Sequence, residues 1–357
     1  MATNQERLCE YMEKNGLDGF FLAKRENVRY ISGFTGADSY LFVTKEKGYF
    51  LTDPRYTEQA GQECPDFEIY VWRKPGKTLG EAVQVLGEKH GVRRIGFESD
   101  GMNYGQFLEF GRSVKAELIP TTDVIEKMRS IKTPQEIQYQ RVACDIFCRA
   151  FERLLKDIRV GVTEKELAAK LSLYMVLEGS DTQPYGNILI SGARTSLLHG
   201  IPSEKAVEYG DFVLMDFGCQ YHGYMSDMTR TVIVGKPDAK QREVYDLEKQ
   251  MVEGSLAKMK AGVPLRDVYK ESIKPIENTE YLPYHYTGIG HGIGLFVHEM
   301  PFMSPTSDTV LEAGNVRTIE PGIYIPNWGG VRIEDQILIT EDGYENMIST
   351  THDLIEL

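Results

Sequence analysis

The sequence contains no run of about 18 apolar residues, so a membrane span is not expected. Its first residues, MATNQERLCEYMEKNG, carry a charged helical pattern without an apolar signal core, so secretion is not expected either. Cysteine is sparse: Cys9, Cys64, Cys144, Cys148 and Cys219 are odd in number and form no CxxC pair. This argues against a disulfide framework and a thiolate zinc site, and a cytoplasmic, reducing setting fits best. Cys144 and Cys148, one helical turn apart, read as reduced core residues. Positive charge is also short. A net charge of −13 leaves no basic face to displace the counterions of a nucleic acid, so no nucleic-acid partner is expected. Low-complexity tracts are missing, and 41% hydrophobic with 26% charged residues is the balance of a globular protein. At 357 residues, two domains are expected, one small and one large.

What is present is strongly patterned. Residues 1–125 alternate helix and strand, with an amphipathic helix over Gln5–Asn15. Apolar runs follow at Gly19–Ala23, Leu41–Val43, Tyr49–Thr52, Phe67–Trp72 and Ile95–Phe97, separated by turn signals such as Gly33-Phe34-Thr35-Gly36 and Asp53-Pro54. This reads as a small α/β domain. The text turns basic over Lys127–Lys132, and residues 126–132 read as a linker. Thr133-Pro134-Gln135-Glu136 then supplies a capping threonine, a proline at the first helical position and a glutamate at the third. A second domain is therefore expected over 133–357.

That second domain contains a faint internal repeat. Ile158-Arg-Val-Gly161-Val162 resembles Met259-Lys-Ala-Gly262-Val263, each ending one helix and leading into the next. Gly210-Asp-Phe-Val-Leu-Met-Asp216-Phe-Gly218 parallels Gly314-Asn-Val-Arg-Thr-Ile-Glu320-Pro-Gly322. In both, a carboxylate ends an apolar strand just before a chain reversal. A second acid follows each, Asp227 in the first copy and Glu334 in the second. The repeat predicts a pseudo-symmetric domain with one site between its halves.

A single acid at a strand end reads as a surface carboxylate or an arginine partner, and Arg230 and Arg332 stand nearby. Four together read differently. Carboxylates about 4 Å apart repel by about 1–4 kcal/mol per pair, and two divalent cations would offset their four charges. Oxygen donors with one imidazole suit manganese, with cobalt, zinc or iron as alternatives. His291, in Gly288-Ile-Gly290-His291-Gly292-Ile-Gly294, supplies the imidazole. That glycine run follows no strand-to-helix unit and is not a dinucleotide fingerprint.

Four segments carry a family resemblance: VLMDFGCQYHGYMSDMTRTVIVG (213–235), GHGIGLFVHEMP (290–301), TIEPGIY (318–324) and GGVRIED (329–335). They resemble the creatinase-like "pita-bread" metallopeptidases, most nearly aminopeptidase P and prolidase. ISGFTG (31–36) and TDPRYTEQA (52–60) are similar to the family's N-terminal domain, so the likeness spans nearly the whole chain. The resemblance implies an α/β (α+β) chain, with a small N-terminal creatinase-like domain and a C-terminal pseudo-two-fold pita-bread domain. It also implies two divalent ions. Asp216 and Asp227 would hold one, His291 and Glu320 the other, with Glu334 bridging both. Thr229 would donate to Asp227, and His199 and His298 would face the substrate. Glu320 would shuttle a proton from the attacking water to the leaving nitrogen, and Tyr224 and Arg332 are expected at the pocket. A homodimer is favoured.

Departures from the family pattern bear on substrate. Leu198 stands where proline is usual, and Phe296 where an acid is usual. Phe302 replaces an arginine that, in dipeptide-specific prolidases, suits a free carboxylate. The expected reaction is therefore release of the first residue from Xaa-Pro peptides, with Xaa-Pro dipeptide cleavage as the alternative. A creatinase-type amidinohydrolase or a non-enzymatic binding protein of this fold would have lost ligands that are all present here.

Overall fold

The computed structural model describes residues 3–182 and 188–357. The chain divides into two compact units, Met1–Arg129 and Ser130–Leu357.

The first unit runs α1 (Asn4–Lys14), β1 (Gly19–Leu22), α2 (Arg25–Ser32), β2 (Tyr40–Thr44), β3 (Gly48–Thr52), α3 (Thr57–Glu63), β4 (Glu68–Val71), α4 (Leu79–Lys89), β5 (Arg94–Glu98), α5 (Tyr104–Ser113), β6 (Glu117–Thr121) and α6 (Val124–Ser130). Its single sheet has the order β4-β3-β2-β1-β5-β6. Strands β1, β2 and β3 pair antiparallel and the remaining neighbours pair parallel. β1 is Gly-Phe-Phe-Leu and is buried on both faces, as expected for a central strand flanked by helices. Phe21, Phe42, Leu51, Ile95 and Phe97 fill one core with Val83, Leu86 and Phe110 of the covering helices. Reciprocal capping boxes start α1, α4 and α5, at Thr3/Glu6, Thr78/Glu81 and Asn103/Gln106. Residues 126–132, expected as a linker, carry the end of α6 and then two residues that pair within the second unit. Ile131 bridges Asn315, and the Lys132 N–H donates to the Gly314 carbonyl at 2.9 Å.

The second unit begins with α7 (Pro134–Leu154), started by the Thr133/Glu136 capping box and Pro134. α8 (Glu164–Leu177), β7 (Ile188–Ser191), β8 (Phe212–Phe217), β9 (Gln220–Tyr221), β10 (Tyr224–Met225) and β11 (Met228–Ile233) complete its first half. The second half comprises α9 (Ala239–Leu256), α10 (Leu265–Ile273), β12 (Val316–Ile319), β13 (Gly322–Ile325), β14 (Gly329–Arg332), β15 (Asp335–Ile339) and β16 (Tyr344–Asn346). The halves repeat in detail. β8 pairs antiparallel with β11, as β12 does with β15, and each pair encloses a short hairpin, β9–β10 or β13–β14. Gly161 and Gly262 adopt left-handed φ values of 89° and 84°, which glycine takes without a Cβ penalty. Their N–H groups make matching bonds to Val207 and Leu311, both 2.9 Å. Each half has its own apolar core. Phe147, Phe151, Leu167, Leu171 and Phe217 lie in the first; Val244, Met251, Val268, Ile319 and Ile337 lie in the second.

Candidate metal centre

The strand pairs deliver the acids. Asp216 lies on β8 opposite Thr229 of β11, and Asp227 immediately precedes β11. Glu320 immediately follows β12, and Glu334 immediately precedes β15, where Asp335 faces Ile319. Each half thus presents two carboxylates at one end of an antiparallel pair. His291 sits beside β12: its N–H donates to the Thr318 hydroxyl at 3.2 Å, and its carbonyl accepts from the Thr318 N–H at 2.9 Å. Gly290 is required there, because a Cβ would stand 2.3 Å from the Thr318 carbonyl oxygen.

Ligand atoms of Asp227, His291 and Glu334 all lie within 4.8 Å of one another, and all three residues are buried. His291 Nε2 is 3.3 Å from Glu320 Oε1 and 3.6 Å from Asp227 Oδ2. Its Nδ1 lies 2.9 Å from the Gly292 carbonyl. A carbonyl can only accept, so this contact places a proton on Nδ1 and turns Nε2 towards the acids. Asp216 lies across the group, 2.5 Å from the Arg332 guanidinium. Asp216, Asp227, His291, Glu320, His199, His298 and Arg332 line one cavity of about 320 Å³. Glu334 lies below that surface, at 1% exposure.

Charge is crowded here. Burial, together with Asp227, Glu320 and Asp216, pushes the Glu334 carboxyl well above the usual carboxylate range. Burial also raises Asp216, against the pull of Arg332. Burial would lower His291, but Glu320 and Asp227 outweigh it and raise the imidazole to about 9. Burial opposes ionisation of Glu320 as well, yet its contact with His291 holds it below its ordinary value. His298 is lowered by burial and by its neighbour His291. Glu334 Oε2 accepts from the Thr229 hydroxyl at 2.7 Å, but Oε1 is buried with no hydrogen-bond partner among the described residues. A buried carboxylate oxygen without a donor, facing further carboxylates and an imidazole, fits a divalent cation.

A model described as "Metallopeptidase family M24" matches residues 138–341, and one described as "Creatinase/Prolidase N-terminal domain" matches residues 5–131. The chain belongs to metallopeptidase family M24. It is 36% identical to an Xaa-Pro dipeptidase of Pyrococcus horikoshii, over 99% of each chain. A solved Xaa-Pro dipeptidase from Bacillus anthracis superposes with a TM-score of 0.94 at 38% identity, covering 99% of each chain. An X-Pro aminopeptidase from Thermotoga maritima gives 0.92 at 32% identity, covering both chains completely. The protein is thus a metallopeptidase with the pita-bread architecture expected from its motifs, and enzymes of this family use divalent metals.

Several sequence expectations find different neighbours. Thr229, expected to serve Asp227, donates its hydroxyl to Glu334 at 2.7 Å. Tyr224 is absent from the described cavity lining; its hydroxyl donates to Glu136 at 2.6 Å and its ring packs against Tyr139. Arg332 does reach the cavity, but its guanidinium also donates to the Tyr324 hydroxyl at 2.8 Å and the Thr229 hydroxyl at 3.1 Å. Arg230 pairs with Asp335, the neighbour of Glu334, at 2.7 Å. Within YLPYHY, Tyr286 lines the cavity, whereas Tyr281 is buried and bonds Glu243. Tyr324, inside the TIEPGIY segment, lines the cavity although no motif marks it as a site residue. Strand alternation from Gly322 was its only signal.

Proposed function

We propose that this M24 peptidase hydrolyses the Xaa-Pro bond of peptides that continue beyond proline, releasing the N-terminal residue. One observation carries the choice of substrate length. Among the described residues lining the cavity, the one guanidinium or ammonium is Arg332, and four of its five N–H donors reach Asp216, Tyr324, Thr229 and the Leu198 carbonyl. A dipeptide's free carboxylate therefore finds in that wall only an arginine already paired with Asp216. Phe302, at 48% exposure, occupies the position where an arginine would serve this purpose. Cleavage of Xaa-Pro dipeptides is the second reading, favoured by the relatives named Xaa-Pro dipeptidase.

Asp216, Asp227, His291, Glu320 and Glu334 would hold the metals, with manganese the expected ion for so oxygen-rich a set. When bound, two divalent cations would lower the pKa of a water towards about 7 and polarise the scissile carbonyl. The remaining work falls to side chains. Glu320, ionised beside His291, takes the water's proton on its carboxylate and passes it to the proline nitrogen as the bond breaks. His298 and His199 hold the peptide carbonyl and stabilise the charge developing on its oxygen. Ile188, Leu198, Ile201 and Val297 give the cavity apolar walls suited to excluding bulk water from that transfer.

The test is hydrolysis of an Xaa-Pro-Yaa tripeptide, its Xaa-Pro dipeptide and an Xaa-Ala-Yaa control, each with and without chelator. Chelator-sensitive cleavage of the tripeptide alone supports the proposal. Preference for the dipeptide establishes the second reading, and equal cleavage of the alanine control removes proline specificity.

A further inference from the structure

His298 reaches the cavity from a loop whose support lies behind the site. The next residue, Glu299, points away from solvent with its side chain 4% exposed, 3.2 Å from the Nζ of Lys132, which is 3% exposed. Its other carboxylate oxygen accepts from the Phe296 N–H at 3.2 Å. Its main chain exchanges two hydrogen bonds with Gly292, both 2.8 Å, and Gly292 directly follows the metal-centre residue His291. Glu299 therefore closes the 292–299 loop through both backbone and side chain. Space for the carboxylate is reserved by glycine: a Cβ on Gly294 would stand 2.9 Å from Glu299 Oε1. Lys132 is itself anchored, by its N–H to the Gly314 carbonyl and by the capping residue Thr133 that follows it.

Burying an ammonium and a carboxylate together carries a desolvation penalty that a well-packed apolar pair avoids, so stability alone is a weak reason for the pair. Its placement suggests another. We propose that Lys132 is a positioning residue that acts through Glu299 to set the orientation of His298 in the cavity. The proposal rests on reading His298 as substrate-facing. Lys132 belongs to the stretch expected to be a mere connector between domains, and this assigns it to the scaffold of the active site.

The full-length double variant Lys132→Met/Glu299→Met separates positioning from stability, because an apolar pair of similar volume restores packing without fixing the loop. We expect a melting temperature and metal stoichiometry near wild type, KM changed less than about threefold, and kcat lowered at least about tenfold on whichever peptide the wild type cleaves. In a His298→Ala background the same pair should lower kcat by less than about twofold, since coupled groups are not additive. Wild-type kcat in the double variant, or an undiminished loss without His298, would overturn the proposal. Glu299→Gln keeps the volume and the acceptor for Phe296. It should show the same His298-dependent loss if the double variant fails to fold. A readout without turnover separates this idea from the substrate assignment. In histidine-labelled, metal-free protein, the His298 ring resonance should move in Glu299→Gln while that of His199 stays. An unmoved His298 resonance would count against positioning, whereas failure to cut any proline peptide would count against the proposed function alone.

Discussion

Replacing Arg332 with methionine should destabilise the metal-free protein far more than the metal-loaded one. The side chain is 4% exposed, and its donors reach Asp216 at 2.5 Å, Tyr324 at 2.8 Å, Thr229 at 3.1 Å and the Leu198 carbonyl at 3.4 Å. Methionine fills most of the volume but leaves the Asp216 carboxylate beside Glu320 without its nearest cation. Removing one partner of a buried pair costs about 3–5 kcal/mol. For a unit of about 230 residues, each kcal/mol moves the melting temperature by about 2–4 °C, so a drop of about 6–20 °C is expected with chelator. Divalent cations supply positive charge to the same carboxylates, and mass action adds stability as their concentration exceeds the dissociation constant. The deficit should therefore shrink when the protein is loaded with manganese. Thermal scans of wild type and Arg332→Met, each with chelator and with manganese, give the four values required. An equal drop in both conditions, or none with chelator, would refute the charge-balance argument.

His298→Ala should lower turnover by about 10²–10³-fold while bound metal stays near wild type, because the ring lines the cavity outside the carboxylate set. Loss of metal would mean that it belongs among the ligands. Thr229→Val removes the hydroxyl that donates to Glu334 and accepts from Arg332, and metal affinity measured by chelator competition should fall by about 10–100-fold. Unchanged affinity would show that Glu334 needs no such support. His285 is lowered from 6.5 to about 4 chiefly by burial. The unfolded chain therefore binds a proton that the folded protein does not between those values, and stability should rise with pH from about 4 to about 6.5. Urea denaturation of His285→Phe across that range should show a shallower rise than wild type; an identical slope would rule out His285 as its source.

Legibility in the sequence followed the physics of each feature. Asp216 and Glu320 stand out in the sequence because acids ending apolar strands are costly and here recur in a repeat, which the strand pairs β8–β11 and β12–β15 reproduce. The Thr133 cap was readable because capping is local, confined to four consecutive residues. Partnerships were not. Whether Thr229 serves Asp227 or Glu334 depends on how β11 meets the second half, a contact spanning 105 positions that no local pattern encodes. The resemblance puts Tyr224 at the pocket, yet the β9–β10 hairpin turns it towards Glu136 of α7. Lys132 stands in a basic stretch that reads as a linker, and only the tertiary fold reveals it as buried against Glu299. Sequence reveals which groups are expensive to bury, while the fold decides which of them meet.

Activity measured while metal-free protein is titrated with manganese, using an Xaa-Pro-Yaa peptide, tests the central claim most directly. Cleavage should be absent without metal and should rise until two equivalents per chain are bound. Full activity without metal, or saturation at one equivalent, would contradict that claim.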